Sequence, residues 1–374
     1  MERNGRSSPW VASAKLTRGY GGNLTVVDTV LPEMVHLVAS HWYQFPPLDE
    51  VWHIFIASAI GVLVFMAVMG NGTVIYIFST TKSLRTPSNL LVCNLAFSDV
   101  SLMCTMGVPT MINCYYRTWV FGPFFCQIYG CLGSLFGSAS IWTMAVIALD
   151  RYNVIVRGLT ARPLTIKSAL GWCAVVWIIS IVWTIAPVFG WGRYAPEGNM
   201  VVCGTDYLNR GWLNFSYVLA YTIFVYFVPL FLILYAYWFI VKAVSAHEKA
   251  MRQQAKKMNV ASLRSSNAKE INTQIKLAKV AMVTISLWFI AWTPYTIINF
   301  IGIFGMGTIT PFSTFWCSLF AKASSVYNPI VYAISHPKYK QVLHAKFPSL
   351  KCGSDGNDTT STASRATVAE DDKA

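Results

Sequence analysis

Charged residues are scarce in this chain of 374 residues. Lysine, arginine, aspartate and glutamate together make up only 12% of it, whereas 55% of the residues are hydrophobic. A typical soluble domain carries roughly 25% charged residues. The mean hydropathy is +0.47. This composition argues against a soluble enzyme, a disordered chain and a disulfide-dense secreted module, and it favours a helical protein with several membrane spans.

Three sequence patterns are also missing. No stretch shows the strong two-residue alternation of an outer-membrane barrel. No internal repeat is evident, which argues against transporters built from inverted repeats. Residues 1–50 lack the apolar core of a signal peptide, so we expect the first span to act as the signal and residues 1–50 to form an extracellular tail.

Seven stretches are long enough to cross the hydrocarbon layer, which takes about 20 residues. Four of them hold no charge, namely 54–81, 119–149, 168–192 and 211–241. Leu90–Tyr116 holds only Asp99, and the last two are separated by glycines and Pro311 between Lys279 and Lys338. The predicted fold is an all-α membrane protein, a seven-transmembrane helix bundle over residues 51–335.

The residues after the last span show a different pattern. Apolar residues recur at helical spacing among lysines over 336–348, which predicts an amphipathic helix on the membrane surface. Residues 349–374 are rich in Ser, Thr and Asp, and we expect a disordered cytosolic tail.

The basic residues indicate the orientation of the bundle. With the N-terminus outside, fifteen Lys and Arg fall in the three cytosolic loops and three in the outer loops. The positive-inside rule therefore predicts an extracellular N-terminus and a cytosolic C-terminus. The net charge of +13 then reflects topology and a surface for anionic lipid, and we expect no nucleic-acid partner.

Modification sites are few. Cys126 and Cys203 lie at outer edges of the bundle, where the oxidising environment favours a bridge between them. Asn23 begins an Asn-Leu-Thr glycosylation acceptor on the outer side. Cys352 follows the surface helix and is a candidate for palmitoylation.

Lys322 is the most informative residue. It lies about ten residues into the last span, where a charged lysine costs on the order of 2.5–3.5 kcal/mol. One interpretation is a structural lysine in an ion pair. The other is an amine desolvated so that it can condense with an aldehyde, which would attach a carbonyl ligand inside the bundle.

Prolines interrupt three of the spans. Pro294 lies in the sixth, Pro329 follows Asn328 in the seventh, and Pro229 lies in the fifth. A proline removes a backbone hydrogen bond and kinks its helix. Three kinked helices in one bundle favour a conformational switch, in which Tyr332 takes part.

Two further groups fit such a switch. Asp150-Arg151-Tyr152 ends the third span, and Asp150 can hold Arg151 in the resting bundle. Asp99 is a lone carboxylate inside the second span and needs polar partners, for which Asn71 and Asn328 are candidates.

These residues resemble class A G-protein-coupled receptors from about Val51 to Phe347. The motifs that carry the resemblance are Gly70-Asn71, Leu95 with Asp99, Asp150-Arg151-Tyr152, Trp177, Pro229, Trp292 with Pro294, Asn328-Pro329 to Tyr332, and the pair Cys126 and Cys203. Lys322, six residues before Asn328, narrows the resemblance to an opsin.

Other segments resemble the arthropod rhabdomeric visual opsins. They are 81–87, 247–260 and 333–339. The resemblance implies a light receptor, not an enzyme, in the plasma membrane of the photoreceptor rhabdomere. It implies 11-cis retinal bound to Lys322 as a protonated Schiff base, beside Trp292 and Tyr295, and leaves open whether the chromophore is 3-hydroxyretinal.

The resemblance also implies the partners. Isomerisation to all-trans would activate a Gq-class heterotrimeric G protein, which we expect to contact His247, Glu248 and Lys249. The Ser- and Thr-rich tail suits a receptor kinase and arrestin.

One departure concerns the counterion of the Schiff base. Vertebrate visual opsins have a glutamate three residues after the first bridge cysteine, and this chain has Tyr129 there. A phenol, with a reference pKa of about 10, can hydrogen-bond an imine but cannot balance its charge. The resemblance assigns the counterion role to Glu197 in the second outer loop, although a solvent-facing loop acid is the plainer interpretation of that residue.

Three alternatives remain at this point. A retinal photoisomerase without signalling would also need Lys322. A chemically gated class A receptor would use Lys322 only as an ion-pair partner. A microbial-type retinal pump has no use for the kinked helices and the basic loops.

Overall fold

The computed structural model describes residues 24–160, 162–257 and 266–350. Eight helices follow one another in that part of the chain. They are α1 Glu50–Thr80, α2 Pro87–Tyr116, α3 Gly122–Arg157, α4 Ile166–Phe189, α5 212–257, α6 Ser266–Phe304, α7 Pro311–Ser335 and α8 Pro337–Lys346.

Helices α1 to α7 form the predicted seven-helix bundle. Within the described residues, six helices (α1 to α6) are long and apolar enough to span a membrane. Helix α7 has 25 residues, enough for about 37 Å, but it carries Lys322, several serines and Asn328. The polar side chains of α7 face the bundle: Lys322, Ser324, Ser325 and Asn328 are buried.

Short polar motifs start several helices. Thr86, Thr165 and Thr310 each accept a hydrogen bond from the backbone N–H three residues later. Such caps satisfy N–H groups that have no partner within the helix. Proline follows Thr86 and Thr310 directly, and its missing N–H costs nothing at a first helical position.

Wide π turns interrupt α2 at Met103–Gly107 and α5 at Ile223–Phe227, and a third forms the last turn of α3, at Asn153–Arg157. A π turn inside a helix rotates the following residues relative to the preceding ones, and such turns are frequent at functional sites. Pro229 lies two residues after the turn in α5, and Pro294 and Pro329 lie inside α6 and α7.

Two features of the outer side go beyond the all-α prediction. The loop after α4 forms an antiparallel hairpin, β1 Tyr194–Glu197 and β2 Val202–Thr205, with Pro196 opposite Cys203. Residues 26–44 form three short 3₁₀ helices that bury Met34 and Trp42 in the same apolar cluster as the outer ends of the helices. The described part of the N-terminal segment therefore packs as a cap, because its apolar side chains find cover there.

Helix α8 follows directly after α7 and packs against α1. Tyr339, Val342 and Leu343 are buried together with Phe78 of α1, and the Lys346 ammonium lies 5.2 Å from the centre of the Tyr76 ring. His336 caps α8 by accepting a hydrogen bond from the Tyr339 N–H. Burial lowers the pKa of His336 to about 4, so this cap is neutral at physiological pH.

Candidate functional site

A large cavity lies in the outer half of the bundle between α3, α5, α6, α7 and the hairpin. The space between its walls is about 970 Å³ including the open solvent at its mouth. Its lining is mainly apolar and aromatic, and Trp292, Tyr295, Glu197 and Lys322 all belong to it. We call it the main cavity.

Three glycines of α3 shape this cavity. Gly130, Gly133 and Gly137 lie on one helix face and line it. A Cβ atom on Gly137 would lie 3.1 Å from the ring of Trp292, and one on Gly130 would lie 2.5 Å from the ring of Tyr194. The absence of side chains on this face therefore lets the rings of α6 and the hairpin approach α3 closely.

Lys322 is buried in the wall of the main cavity, with 6% of its surface exposed. Its Nζ donates a hydrogen bond to Ser318 Oγ at 2.7 Å, one helical turn earlier. Three ion pairs of 4.0 Å or less join described residues, and Lys322 belongs to none of them. The amine therefore has two further donor positions and no carboxylate in direct contact, which disfavours the structural ion-pair interpretation.

Glu197 lies at the end of β1 with its carboxylate over the main cavity. It is 6% exposed, and the Tyr295 hydroxyl lies 3.1 Å and 3.2 Å from its two oxygens. Burial raises the pKa of Glu197 above its ordinary value, and the positive charge of Lys322 opposes that rise. Glu197 is thus a cavity residue and not a solvent-facing loop acid.

The hairpin that carries Glu197 is fixed to α3. Cys203 of β2 forms a disulfide with Cys126 at the outer end of α3, as the sequence predicted. Gly204 follows Cys203, and a Cβ atom there would lie 2.6 Å from both Glu197 Oε1 and the Tyr295 hydroxyl. Only a residue without a side chain leaves room for the contact between Glu197 and Tyr295.

Tyr129 does not line the main cavity. Its ring is buried against Trp119, with ring centres 5.0 Å apart. Its hydroxyl is 2.7 Å from the Thr110 hydroxyl and within 3.4 Å of the Met106 carbonyl oxygen. The Tyr129 hydroxyl is thus engaged with α2 in this structure, and its hydrogen bond to the Schiff base stays a prediction.

Trp292 connects the main cavity with α7. Its ring stacks on Trp288, with ring centres 5.2 Å apart, and its Nε1 donates to Ser324 Oγ at 3.0 Å. Ser324 lies two residues after Lys322 on the same helix. A change in the cavity that moves Trp292 therefore acts on two helices. It acts on α6 at a point two residues before Pro294, and on α7 through Ser324.

A polar cluster links α2, α3 and α7 below the main cavity. Asp99 accepts hydrogen bonds from Ser140 Oγ at 3.0 Å and from Asn328 Nδ2 at 2.8 Å. The sequence analysis named Asn71 as a second candidate partner of Asp99, but Asn71 Nδ2 donates to the Ser325 and Ala67 carbonyl oxygens instead. Asn71 thus ties α1 to α7 through the backbone beside Pro329.

Close packing continues around Pro329. A Cβ atom on Gly70 of α1 would lie 2.8 Å from the Pro329 ring. Tyr332 is buried one turn further on, in the apolar cluster with Phe78 and Tyr339 of α8.

The cytosolic ends of α2, α3 and α6 are joined by hydrogen bonds. Arg151 forms an ion pair with Asp150, and Ser88 of α2 contacts both, donating to Asp150 at 2.8 Å and accepting from Arg151 at 2.7 Å. Arg151 Nη1 also donates to Gln274 Oε1 of α6 at 2.8 Å. Tyr152 lies apart from this network, against Phe239 of α5. The sequence analysis missed Ser88 and Gln274, because nothing in a single sequence shows which residue of a distant helix faces Arg151.

Ser318 was also missed, although its spacing was informative. It precedes Lys322 by four residues, which places both side chains on one face of a helix.

The remaining predicted residues lie near the end of α5 or outside the described residues. His247, Glu248 and Lys249 belong to the last three turns of α5, and the Lys249 side chain is exposed. Asn23 and Cys352 lie outside the described residues.

Comparisons with known proteins agree with this architecture. The family model for the seven-transmembrane receptors of the rhodopsin family matches residues 70–332. A rhodopsin of Sphodromantis sp. is 63% identical over 355 residues, covering 95% of this chain and 94% of its own length. A long-wavelength rhodopsin of Apis mellifera is 61% identical over 360 residues, covering 95% and 96%.

A solved structure is also similar. The crystal structure of squid rhodopsin superposes with a TM-score of 0.79 at 35% sequence identity, covering 92% of this chain and 96% of that one. The chain therefore belongs to the rhodopsin family of seven-transmembrane receptors and, within it, to the arthropod visual opsins. It is a light-sensing, multi-pass membrane receptor that acts through a heterotrimeric G protein, and it is not an enzyme.

Proposed function

We propose that this opsin binds 11-cis retinal on Lys322 as a protonated Schiff base and activates a Gq-class G protein when light converts the chromophore to the all-trans form. One observation carries the proposal. A buried primary amine without a close carboxylate lines an apolar cavity of about 970 Å³. Such an amine is a nucleophile for an aldehyde, and the cavity suits a long apolar ligand.

The residues present fit this group. The apolar and aromatic lining suits a polyene chain, and Trp292 and the glycine face of α3 both border the cavity. Bound retinal would supply light absorption and a light-driven change of shape. Tyr295 and the hairpin would hold its surroundings fixed and exclude water.

Glu197 supplies the balancing charge in this proposal. A fixed positive charge at Lys322 favours the carboxylate form of Glu197, because the two groups interact in a site of low polarity. The Tyr295 hydroxyl also stabilises the carboxylate, since a hydrogen bond to a charged acceptor is stronger than one to a neutral acceptor. The Cys126–Cys203 bridge keeps the hairpin over the cavity.

The path to the cytosolic face runs through the kinked helices. A change of shape in the main cavity displaces Trp292, which contacts α7 through Ser324. Asn328, Pro329 and Tyr332 lie next along α7, and Asn328 donates a hydrogen bond to Asp99 of α2. At the far end the Arg151–Gln274 hydrogen bond holds α6 against α3. We propose that activation shifts a two-state equilibrium in which this last bond breaks and α6 moves outward.

The same proposal includes the protein partners, the orientation in the membrane, the modified residues and the location in the cell. His247, Glu248 and Lys249 contact the Gq-class protein, and the tail after residue 350 takes a receptor kinase and arrestin. The N-terminus is extracellular and glycosylated at Asn23, the C-terminus is cytosolic with Cys352 palmitoylated, and the protein resides in the rhabdomere. The Arg151–Gln274 bond favours this signalling function over a photoisomerase, which needs no cytosolic switch.

The test is reconstitution of the purified chain with 11-cis retinal in the dark. We expect a visible absorption band, with Lys322→Ala abolishing it and Lys82→Ala, an exposed lysine elsewhere, leaving it intact. Illumination of the parent should then drive nucleotide exchange on purified Gq-class protein. A retinal-dependent visible band in Lys322→Ala would reject attachment at that residue.

A further inference from the structure

A second cavity lies beside Lys322, on the side of α1 and α2. The space between its walls is about 280 Å³ including open solvent, and Ile56 and Ile60 of α1, Phe315 and Leu319 of α7, and the turn of the hairpin border it. We call it the side chamber. Lys322 and Ser318 line both the side chamber and the main cavity. Lys322 therefore borders two spaces.

The side chamber contains polar groups that its apolar walls do not explain. Asn199 lies in the turn between β1 and β2 and is 4% exposed. Its Nδ2 is buried and has no hydrogen-bond partner among the described residues. Thr110, Ser318 and Lys322 also line the chamber.

A buried amide without a partner is costly, and such groups are commonly satisfied by ordered water. A buried water needs two to four polar partners and a space of its own size. The side chamber meets both conditions. It has room for a water molecule, and its lining includes Asn199, Ser318, Thr110 and Lys322. The main cavity, by contrast, must exclude water if an apolar ligand fills it.

We propose that the side chamber is a water site that serves the condensation of Lys322 with an aldehyde, an inference that rests on the proposed function. Condensation of the Lys322 amine with an aldehyde forms a C=N bond and releases one water molecule. Hydrolysis consumes one water: its oxygen adds to the carbon and becomes the aldehyde oxygen, the bond between carbon and nitrogen breaks, and both hydrogens of the water end on the Lys322 nitrogen. Asn199 Nδ2 holds the oxygen of this water, so that it enters and leaves without crossing the main cavity.

The first experiment uses the retinal-free full-length chain. Formaldehyde with a borane reductant methylates lysines, because the aldehyde condenses with the amine and the borane supplies the hydride. We expect Asn199→Leu to slow methylation of Lys322 about fivefold, the effect of losing one ordinary hydrogen bond to the departing water. Exposed Lys82 in the same sample should react at the parent rate, and mass spectrometry of the two peptides gives both rates.

A second variant covers the case in which Asn199→Leu fails to fold. Ile56→Phe fills the side chamber from α1, and Ile303→Phe places the same substitution in the same apolar cluster outside the chamber. We expect Ile56→Phe to slow methylation of Lys322 and Ile303→Phe to leave it at the parent rate. Parent rates in both Asn199→Leu and Ile56→Phe would overturn the proposal.

The retinal-bound protein gives the reverse reaction. Loss of the visible band by thermal hydrolysis in the dark should be about fivefold slower in Asn199→Leu than in the parent. If hydrolysis is as fast as in the parent, the side chamber does not supply the water. If the parent forms no band at all, the proposed function fails, while the methylation rates still decide whether the chamber serves Lys322.

Discussion

The Tyr295 hydroxyl of α6 contacts both carboxylate oxygens of Glu197, at 3.1 Å and 3.2 Å, across the mouth of the main cavity. This contact joins the hairpin to the helix that carries Trp292 and Pro294. It also stabilises the charged form of the proposed counterion. The electrostatics of the site and the position of α6 are therefore coupled through one hydroxyl group.

Removing that hydroxyl gives the first prediction. Tyr295→Phe should destabilise the Glu197 carboxylate by about 1.5–3 kcal/mol, the range for a hydrogen bond to a charged group. The dark absorption band of the reconstituted pigment should shift. The pH at which protonation of Glu197 changes that band should rise. Absorbance titration of parent and variant measures both. Tyr226→Phe, which removes a cavity-lining hydroxyl bonded to Thr293, is the matched control. Identical titrations of Tyr295→Phe and the parent would show that the contact has no electrostatic role.

The buried carboxylate also predicts how stability depends on pH. In the retinal-free chain, the raised pKa of Glu197 means that the folded state holds a proton that the unfolded state has lost above its ordinary pKa of about 4.3. Stability should therefore fall as the pH rises from that value through the raised folded pKa, and then level off.

Glu197→Gln should reduce this fall, because the amide does not titrate. Thermal unfolding midpoints across the pH range provide the measurement. Glu50→Gln, at an exposed carboxylate, is the control and should keep the fall seen in the parent. If Glu197→Gln loses as much stability with rising pH as the parent does, Glu197 is not a group that causes the fall.

The hydrogen bond between Arg151 and Gln274 should restrain the resting receptor. Gln274→Ala removes a hydrogen bond from a charged donor, worth about 1.5–3 kcal/mol, so we expect basal nucleotide exchange to rise at least about tenfold. Gln274→Glu places a charge opposite Arg151 and should lower basal exchange below the parent. Exchange assays in the dark with retinal-free protein distinguish these cases. Equal basal rates in the three proteins would remove this bond from the switch.

Gly204 should be intolerant of even a methyl group. Gly204→Ala places a Cβ atom 2.6 Å from both Glu197 and Tyr295, so one of them must move. We expect a shifted dark spectrum and a lower thermal midpoint. Gly171→Ala, on α4 where a Cβ atom meets nothing within 4 Å, is the matched control and should behave as the parent. An unshifted spectrum in Gly204→Ala would mean that the contact is not needed for the colour of the pigment.

Much of the fold could be predicted because a membrane imposes strict conditions on a sequence. Runs such as 54–81 can only be helices crossing hydrocarbon, since every backbone group must find a partner within its own segment. The hairpin could not be predicted in this way. Its two strands have four residues each, and β1 contains Pro196, which weakens any strand pattern.

The site was predicted unevenly for a similar reason. Lys322 is conspicuous as a single charge in a long apolar segment, whereas Gln274, Ser88 and Asn199 are ordinary polar residues in polar surroundings. The placement of Tyr129 could not be predicted either, because its spacing from Cys126 does not fix which side of α3 the ring faces. In the structure its hydroxyl contacts Thr110 of α2, and a hydrogen bond from Tyr129 to the Schiff base stays a prediction.

The amino-acid sequence alone determined that seven helices cross a membrane around one buried amine, because burying charge in hydrocarbon costs so much free energy that its location is visible in the residue pattern. Only the tertiary structure decided which groups meet that amine. Ser318 contacts it, Glu197 shares its cavity and Tyr129 does not, because these relationships depend on the rotation of each helix and on the path of the hairpin over the bundle.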